Sequence, residues 1–155
     1  DSACVELSPL AHELSVEVRS ELPDGFPLLN VDTDKVERVL LNLLDNALKF
    51  SPEGGVVTMR AFPPGSHGAA LDYTRIEVID QGPGVPAAAR ATLFDRFVQV
   101  QGRSGRRRGS GLGLTFCRLV IEAHGGSIWI EDNPSGGSLF VLTLPVFDEE
   151  KNRLD

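Results

Sequence analysis

The sequence predicts an α+β domain: a two-layer α/β sandwich in which a mixed, mostly antiparallel sheet is covered on one face by helices. Three observations carry that expectation. Apolar residues recur with helical spacing after Asp32, two strand-like runs separate them from a second helix-like segment, and the chain closes on two more such runs joined by NPSGG. Strands interleaved with helices and ending in a hairpin favour segregated layers.

The elements follow in order. ELSVEVR, residues 13–19, alternates apolar and polar residues and reads as a strand, which ELPDGFPLLN then interrupts with two prolines and a glycine. From Asp32 the period changes: Val36, Val39, Leu40, Leu43, Leu44, Ala47 and Leu48 obey the i, i+3, i+4, i+7 rule, with Asp32 or Asp34 as N-cap. SPEGG closes this helix. VVTMRAF is the next strand, PPGSHGAA a loop, and RIEVID a further strand ending at QGPGVP. Helical character returns over AAARATLFDRFVQV. A glycine- and arginine-rich segment then leads into the helix of GLTFCRLVIEAHGG, which Gly125 and Gly126 stop. SIWIED, NPSGG and SLFVLTLPV form the closing hairpin. The domain is expected over residues 1–147, with a frayed tail over 148–155.

Composition narrows the function. At 155 residues the chain is long enough for one real core. Its net charge of −7 argues against a nucleic-acid binder, although Arg103, Arg106, Arg107 and Arg108 concentrate positive charge locally. Cys4 and Cys117 lack metal-ligand spacing and point to a reducing, cytoplasmic setting without a disulfide. No apolar run approaches the roughly 20 residues that span a bilayer, so no direct membrane contact is expected.

Three polar clusters stand out. Asn42, Asn46 and Lys49 recur at i, i+4, i+7 beside the apolar stripe of the long helix. A solvated face is the plain reading, but Asn is a mediocre helix former, its amide oxygen suits Mg²⁺, and lysine attracts phosphate. Asp80, Gly82 and Gly84 end a strand expected to be buried, where the carboxylate needs a partner and the glycines leave room for a flat ligand. An Asx-stabilised turn explains the same residues. Gly109, Gly111 and Gly113 precede a helix, where backbone N–H groups can converge on an anion. G-x-x-x-x-G-K-[ST] is absent, so this is no P-loop.

In order, NLLDNALKFSPEGG, DQGPGVP, LFDRF and GSGLGL resemble the N, G1, F and G2 boxes of the sensor histidine kinase ATP-binding domain. That domain belongs to the GHKL superfamily, with gyrase, Hsp90 and MutL ATPases. The resemblance runs from about residue 14 to 146 and implies a Bergerat-type fold that takes ATP and Mg²⁺. It implies that Asn46 coordinates Mg²⁺, that Asn42 lies beside metal and phosphates, and that Lys49 contacts phosphate, these three forming the catalytic set. Phe50 ends the N box where the family commonly has tyrosine. Asp80 would receive the adenine amino group, with Gly82, Gly84 and Val85 shaping the purine pocket. Phe94 and Phe97 would anchor a lid over about Pro86 to Ser110, and Arg108, Gly109, Ser110, Gly111, Leu112, Gly113 and Leu114 would close on the triphosphate. Gln99 replaces an arginine often found after the F box, a role that Arg106, Arg107 or Arg108 is left to fill.

The resemblance also separates chemistries. Hydrolytic relatives carry a glutamate four residues before the metal-binding asparagine; here that position is Asn42, which cannot act as a base, and Asp45 lies a helical step away. His12, in HELSVEV, lacks the Arg-Thr-Pro of a phosphoacceptor box, His67 falls in a loop, and His124 at a helix C-terminus complements the dipole. The expectation is the catalytic domain of a two-component sensor kinase, monomeric as a fragment. It would pass the γ-phosphoryl group to a histidine on a separate dimerisation domain, with a response regulator receiver domain downstream. A catalytically idle nucleotide-binding module of the same fold is the alternative.

Overall fold

The structure, a computed structural model, describes residues 2–24, 26–27, 29–66, 69, 72–90, 92–95 and 112–146. Two short helices, α1 (Ser2–Glu6) and α2 (Ser8–Leu14), precede the first strand, β1 (Glu17–Glu21). The strand expected from residue 13 therefore starts later. Its alternation is real but straddles a helix end: Leu14 closes α2, Ser15 turns the chain at φ 56, and Val16 leads into β1, with Leu14 and Val16 both buried. Pattern alone cannot see that break, because Ser15 adopts a left-handed conformation uncommon outside glycine.

Helix α3 (Thr33–Phe50) is built as its spacing dictates. Asp32 is the N-cap, its carboxylate accepting from the Lys35 N–H at 3.2 Å. Val36, Val39, Leu43, Leu44, Ala47 and Leu48 are buried, while Leu40 is only partly so.

The strands β2 (Val56–Phe62), β3 (Tyr73–Ile79), β4 (Ser127–Asp132) and β5 (Ser138–Pro145) join β1 in one five-stranded sheet of order β1-β2-β3-β5-β4. β1 and β2 are parallel and every other pair is antiparallel, giving the mixed sheet expected. Register lines up the core. Met59 faces Val78, Val78 faces Phe140, and Phe140 faces Ile130; one step along, Ala61, Ile76, Leu142 and Ile128 do the same. This face packs on the apolar stripe of α3 and on Cys117, Val120 and Ile121.

On the other face, Arg75 spans three strands. Its Nη atoms reach both Glu131 carboxylate oxygens at 3.2 and 2.8 Å, its Nε donates to Glu77 at 2.8 Å, and its guanidinium lies 5.9 Å from the Trp129 ring centre. Trp129 Nε1 donates to Glu131 at 3.0 Å. Val141, directly between Glu77 and Trp129 in the ladder, is fully buried beneath them.

Of the helix expected over 87–100, the described residues form one turn, α4 (Ala87–Arg90), and a turn through Thr92–Asp95; residues 91 and 96–100 lie outside them. Helix α5 (Leu112–Ala123) ends in a Schellman cap: the Gly126 N–H donates to Ile121 O at 2.9 Å, the Gly125 N–H to Glu122 O at 3.0 Å, and Gly125 has φ +80. His124 complements the end of α5, as expected, and does more. Its Nε2 accepts from the Asp32 N–H at 2.9 Å and its Nδ1 lies 2.7 Å from Val120 O, so the ring is the neutral Nδ1–H tautomer. It answers a carbonyl of the last turn of α5 and also ties that turn to the cap of α3. No helix among the described residues is long and apolar enough to cross a membrane.

Candidate functional site

The polar stripe of α3 is not a uniform solvated face. Asn46 Nδ2 is buried and has no hydrogen-bond partner among the described residues. A buried polar atom left so costs about 1–3 kcal/mol and points to a missing ligand. Asn42 turns toward α5, where it packs against Gly113, whose notional Cβ would lie 3.7 Å from Asn42 Cγ, while the nearby Cys117 thiol donates to Val39 O at 3.6 Å. Lys49 pairs with Asp45 at 2.8 Å across one helical turn.

Asp80 follows the last residue of β3 and is completely buried. Its Oδ1 accepts from the Gly82 N–H at 2.9 Å and the Ser138 N–H at 3.0 Å, and its own N–H donates to Ser138 O at 3.0 Å. The expected Asx turn is thus present, but it is also bolted to β5. A Cβ on Gly82 would lie 2.5 Å from Phe50 O, so only glycine lets this turn rest on the end of α3. Gly84 has φ +79 and approaches Gly137 O, and Val85 is buried. Phe50, the DQGPGVP turn and the hairpin turn therefore converge.

α5 brings the last component. Gly113, in its first turn, lies against Asn42, and Leu114 is partly buried next to the core. Phe94 is buried edge-on to Phe140, with ring centres 6.3 Å apart, which roots the LFDRF segment in the core. Arg90 donates through Nε to Val85 O at 3.2 Å and pairs with Asp132, pinning the far end of the DQGPGVP turn to β4. Phe97, Gln99, Arg103, Arg106, Arg107, Arg108, Gly109, Ser110 and Gly111, with His67, lie outside the described residues, and Leu112 is described only as the first residue of α5. His12 is exposed in the last turn of α2.

Gly137, Ser138 and Gln81 belong to this constellation and were not singled out in the sequence. NPSGG reads locally as a hairpin turn, and its proximity to Asp80 comes from a strand pairing 58 residues away. The available signal was a serine set directly after two glycines at a strand start. Ser138 Oγ is a second buried polar atom without a hydrogen-bond partner among the described residues. Burial pushes the Cys117 thiol up to about 12, the neighbouring Asn42 amide acting the other way, so it is no nucleophile at neutral pH. Among the described residues no group of three His, Cys, Asp or Glu side chains could hold a metal; any metal here would rest on amide oxygen and on its ligand's own oxygens.

The family model described as histidine kinase-, DNA gyrase B-, and HSP90-like ATPase matches residues 31–148. The adaptive-response sensory kinase SasA of Prochlorococcus marinus (strain MIT 9313) is 36% identical over 145 residues, covering 94% of this chain and 38% of its own length. This chain thus spans well under half of that relative. A mycobacterial sensor histidine kinase, MprB, superposes with TM-score 0.73 at 27% identity, over 94% of this chain and 93% of its own. Full-length ShkA, solved in complex with AMPPNP, gives TM-score 0.75 at 31% identity, over 94% of this chain and 28% of its own. The chain belongs to the histidine kinase-, DNA gyrase B- and HSP90-like ATPase family, as an ATP-binding domain of the sensor histidine kinase kind.

Proposed function

We propose that this chain is the catalytic Mg-ATP-binding domain of a two-component sensor kinase, with its folded unit ending near residue 147. It passes the γ-phosphoryl group to a histidine on a separate dimerisation domain, from which a receiver domain takes it. The observation that carries this reading is the buried Asn46 Nδ2, a donor with no partner among the described residues, on the helix whose end rests on the Asp80 turn. The family match and the nucleotide-analogue complex of a relative 31% identical support it.

The roles follow from chemistry at each place. Asp80, held by two N–H donors on one oxygen, presents its carboxylate to the adenine amino group, between Gly82, Gly84 and Val85. Asn46 would offer its amide oxygen to Mg²⁺, which when bound neutralises charge on the phosphate oxygens, and its Nδ2 would donate to a phosphate oxygen. Lys49 exchanges its Asp45 partner for phosphate. Asn42 and Gly113 set the spacing between α3 and the first turn of α5, whose N–H groups favour anions.

The same residues disfavour hydrolysis. Asn42 cannot take a proton from water, and Asp45 lies a helical step away from the place a water-activating base would take. Positioning and charge neutralisation remain, which is most of what phosphoryl transfer requires.

Calorimetric titration with Mg-ATP, followed by incubation with labelled ATP and a histidine-bearing dimerisation domain, tests the assignment. Binding and acid-labile transfer are expected. Binding without transfer would instead identify an idle nucleotide-binding module, and no heat at saturating magnesium would remove the site altogether.

A further inference from the structure

The turn that carries Asp80 must leave the sheet without losing its alignment to it. β2 and β3 pair antiparallel with Thr58 opposite Ile79, and the same register continued two residues would set Val56 opposite Gln81. By then the main chain has left the ladder, its Asp80 N–H bonded to Ser138 O and its Gly82 pressed on Phe50 O. The Gln81 side chain fills the gap: its Oε1 accepts from the Val56 N–H at 2.9 Å, where a strand carbonyl would otherwise stand. The opposite flank of the turn is held by Ser138 on β5. Asp80 is therefore fixed between two strands, by backbone on one side and by a single amide side chain on the other.

We propose that Gln81 is a positioning residue for the purine, its amide completing the β2 ladder so that Asp80 and Gly82 keep the angle at which they meet the base. The inference rests on the nucleotide site proposed above. The same contact reaches the start of the sheet, because Gly55, next to Val56, accepts from the Glu17 N–H at 3.0 Å, and Gly54 donates to Ser15 O at 2.8 Å. The orientation of the purine turn is thereby referred to the α2–β1 junction.

Gln81 is exposed, so it can be changed without opening the core. Gln81→Leu keeps a branched side chain of similar bulk and removes the acceptor; Gln81→Glu keeps an acceptor oxygen. The experiment measures Mg-ADP and tripolyphosphate affinity by calorimetry, thermal unfolding, and amide exchange at Val56. Losing one exposed hydrogen bond is expected to weaken Mg-ADP binding by about threefold to tenfold. Tripolyphosphate affinity and the unfolding midpoint should hold, Val56 exchange should quicken, and Gln81→Glu should recover Mg-ADP binding. Unchanged Mg-ADP affinity in Gln81→Leu, or an equal loss of ADP and tripolyphosphate, would overturn the role of Gln81 while leaving the nucleotide site standing. Absence of Mg-ADP binding by the unaltered chain would instead sink the site, and this inference with it.

Discussion

Gly136 and Gly137 close the β4–β5 turn with the same backbone torsion, φ +85, and quite different surroundings. A Cβ added at Gly136 meets nothing within 4 Å, whereas one at Gly137 would lie 2.0 Å from Asp80 O and 2.8 Å from its carbonyl carbon. Gly136→Ala therefore isolates the strain of a left-handed alanine, about 1–2 kcal/mol. Gly137→Ala carries that strain and forces the turn off Asp80. Separation breaks the Asp80 N–H bond to Ser138 O and the Ser138 N–H bond to Asp80 Oδ1, each 3.0 Å. The first is worth about 0.5–1.5 kcal/mol and the second, to a carboxylate, about 1.5–3 kcal/mol. The gap between the two variants should then be about 2–4.5 kcal/mol, a large share of a total that is typically about 5–15 kcal/mol. Urea unfolding with slopes compared between variants measures it. Equal midpoints for the two alanines would show that the hairpin accommodates a methyl and that Asp80 does not hold it.

Other substitutions probe the remaining joints. Asp80→Asn should weaken Mg-ATP binding by about 1–3 kcal/mol, since the amide cannot accept from both backbone donors and the adenine amino group at once, and calorimetry reads this directly. Asp32→Ala removes the cap of α3 and should cost about 1 kcal/mol in urea, with Asp32→Asn recovering most of it. Asn46→Ala should abolish the magnesium dependence of nucleotide binding while raising stability slightly, because it deletes the buried Nδ2, which has no partner among the described residues. Cys117 sets a pH dependence: its thiol rises from the ordinary 9.0 to about 12 on folding, so the folded chain holds that proton more tightly. Stability is then intact below pH 9 and falls as pH climbs toward 12, because the unfolded chain ionises first. Cys117→Ala should flatten that fall in unfolding curves taken across the same range.

What the sequence disclosed follows the range of each interaction. α3 was legible to within a residue because its cap and its apolar stripe are local features of one segment. β2 coincides with VVTMRAF for the same reason, every second residue being buried. The start of β1 was not legible, since Leu14 and Val16 keep an alternation across a helix end that only the torsion of Ser15 reveals. The second contact of His124 was not legible, because its partner, the Asp32 N–H, lies 92 residues away. In the candidate site, the residue types at Asn42, Asn46, Lys49 and Asp80 marked their places. Ser138, Gly137 and Gln81 did not, because their part depends on which strand lies next to β3 and on where the chain leaves the ladder.

Trp129 is the single indole in the chain, and it sits on the side of β4 away from the helices, over Val141 and bonded to Glu131. Its emission is therefore a gauge of whether three adjacent strands remain zipped by Arg75. It should shift when denaturant parts them and stay level when a nucleotide arrives on the far side of the sheet. Fluorescence will score folding in this protein, and occupancy will have to be followed by another signal.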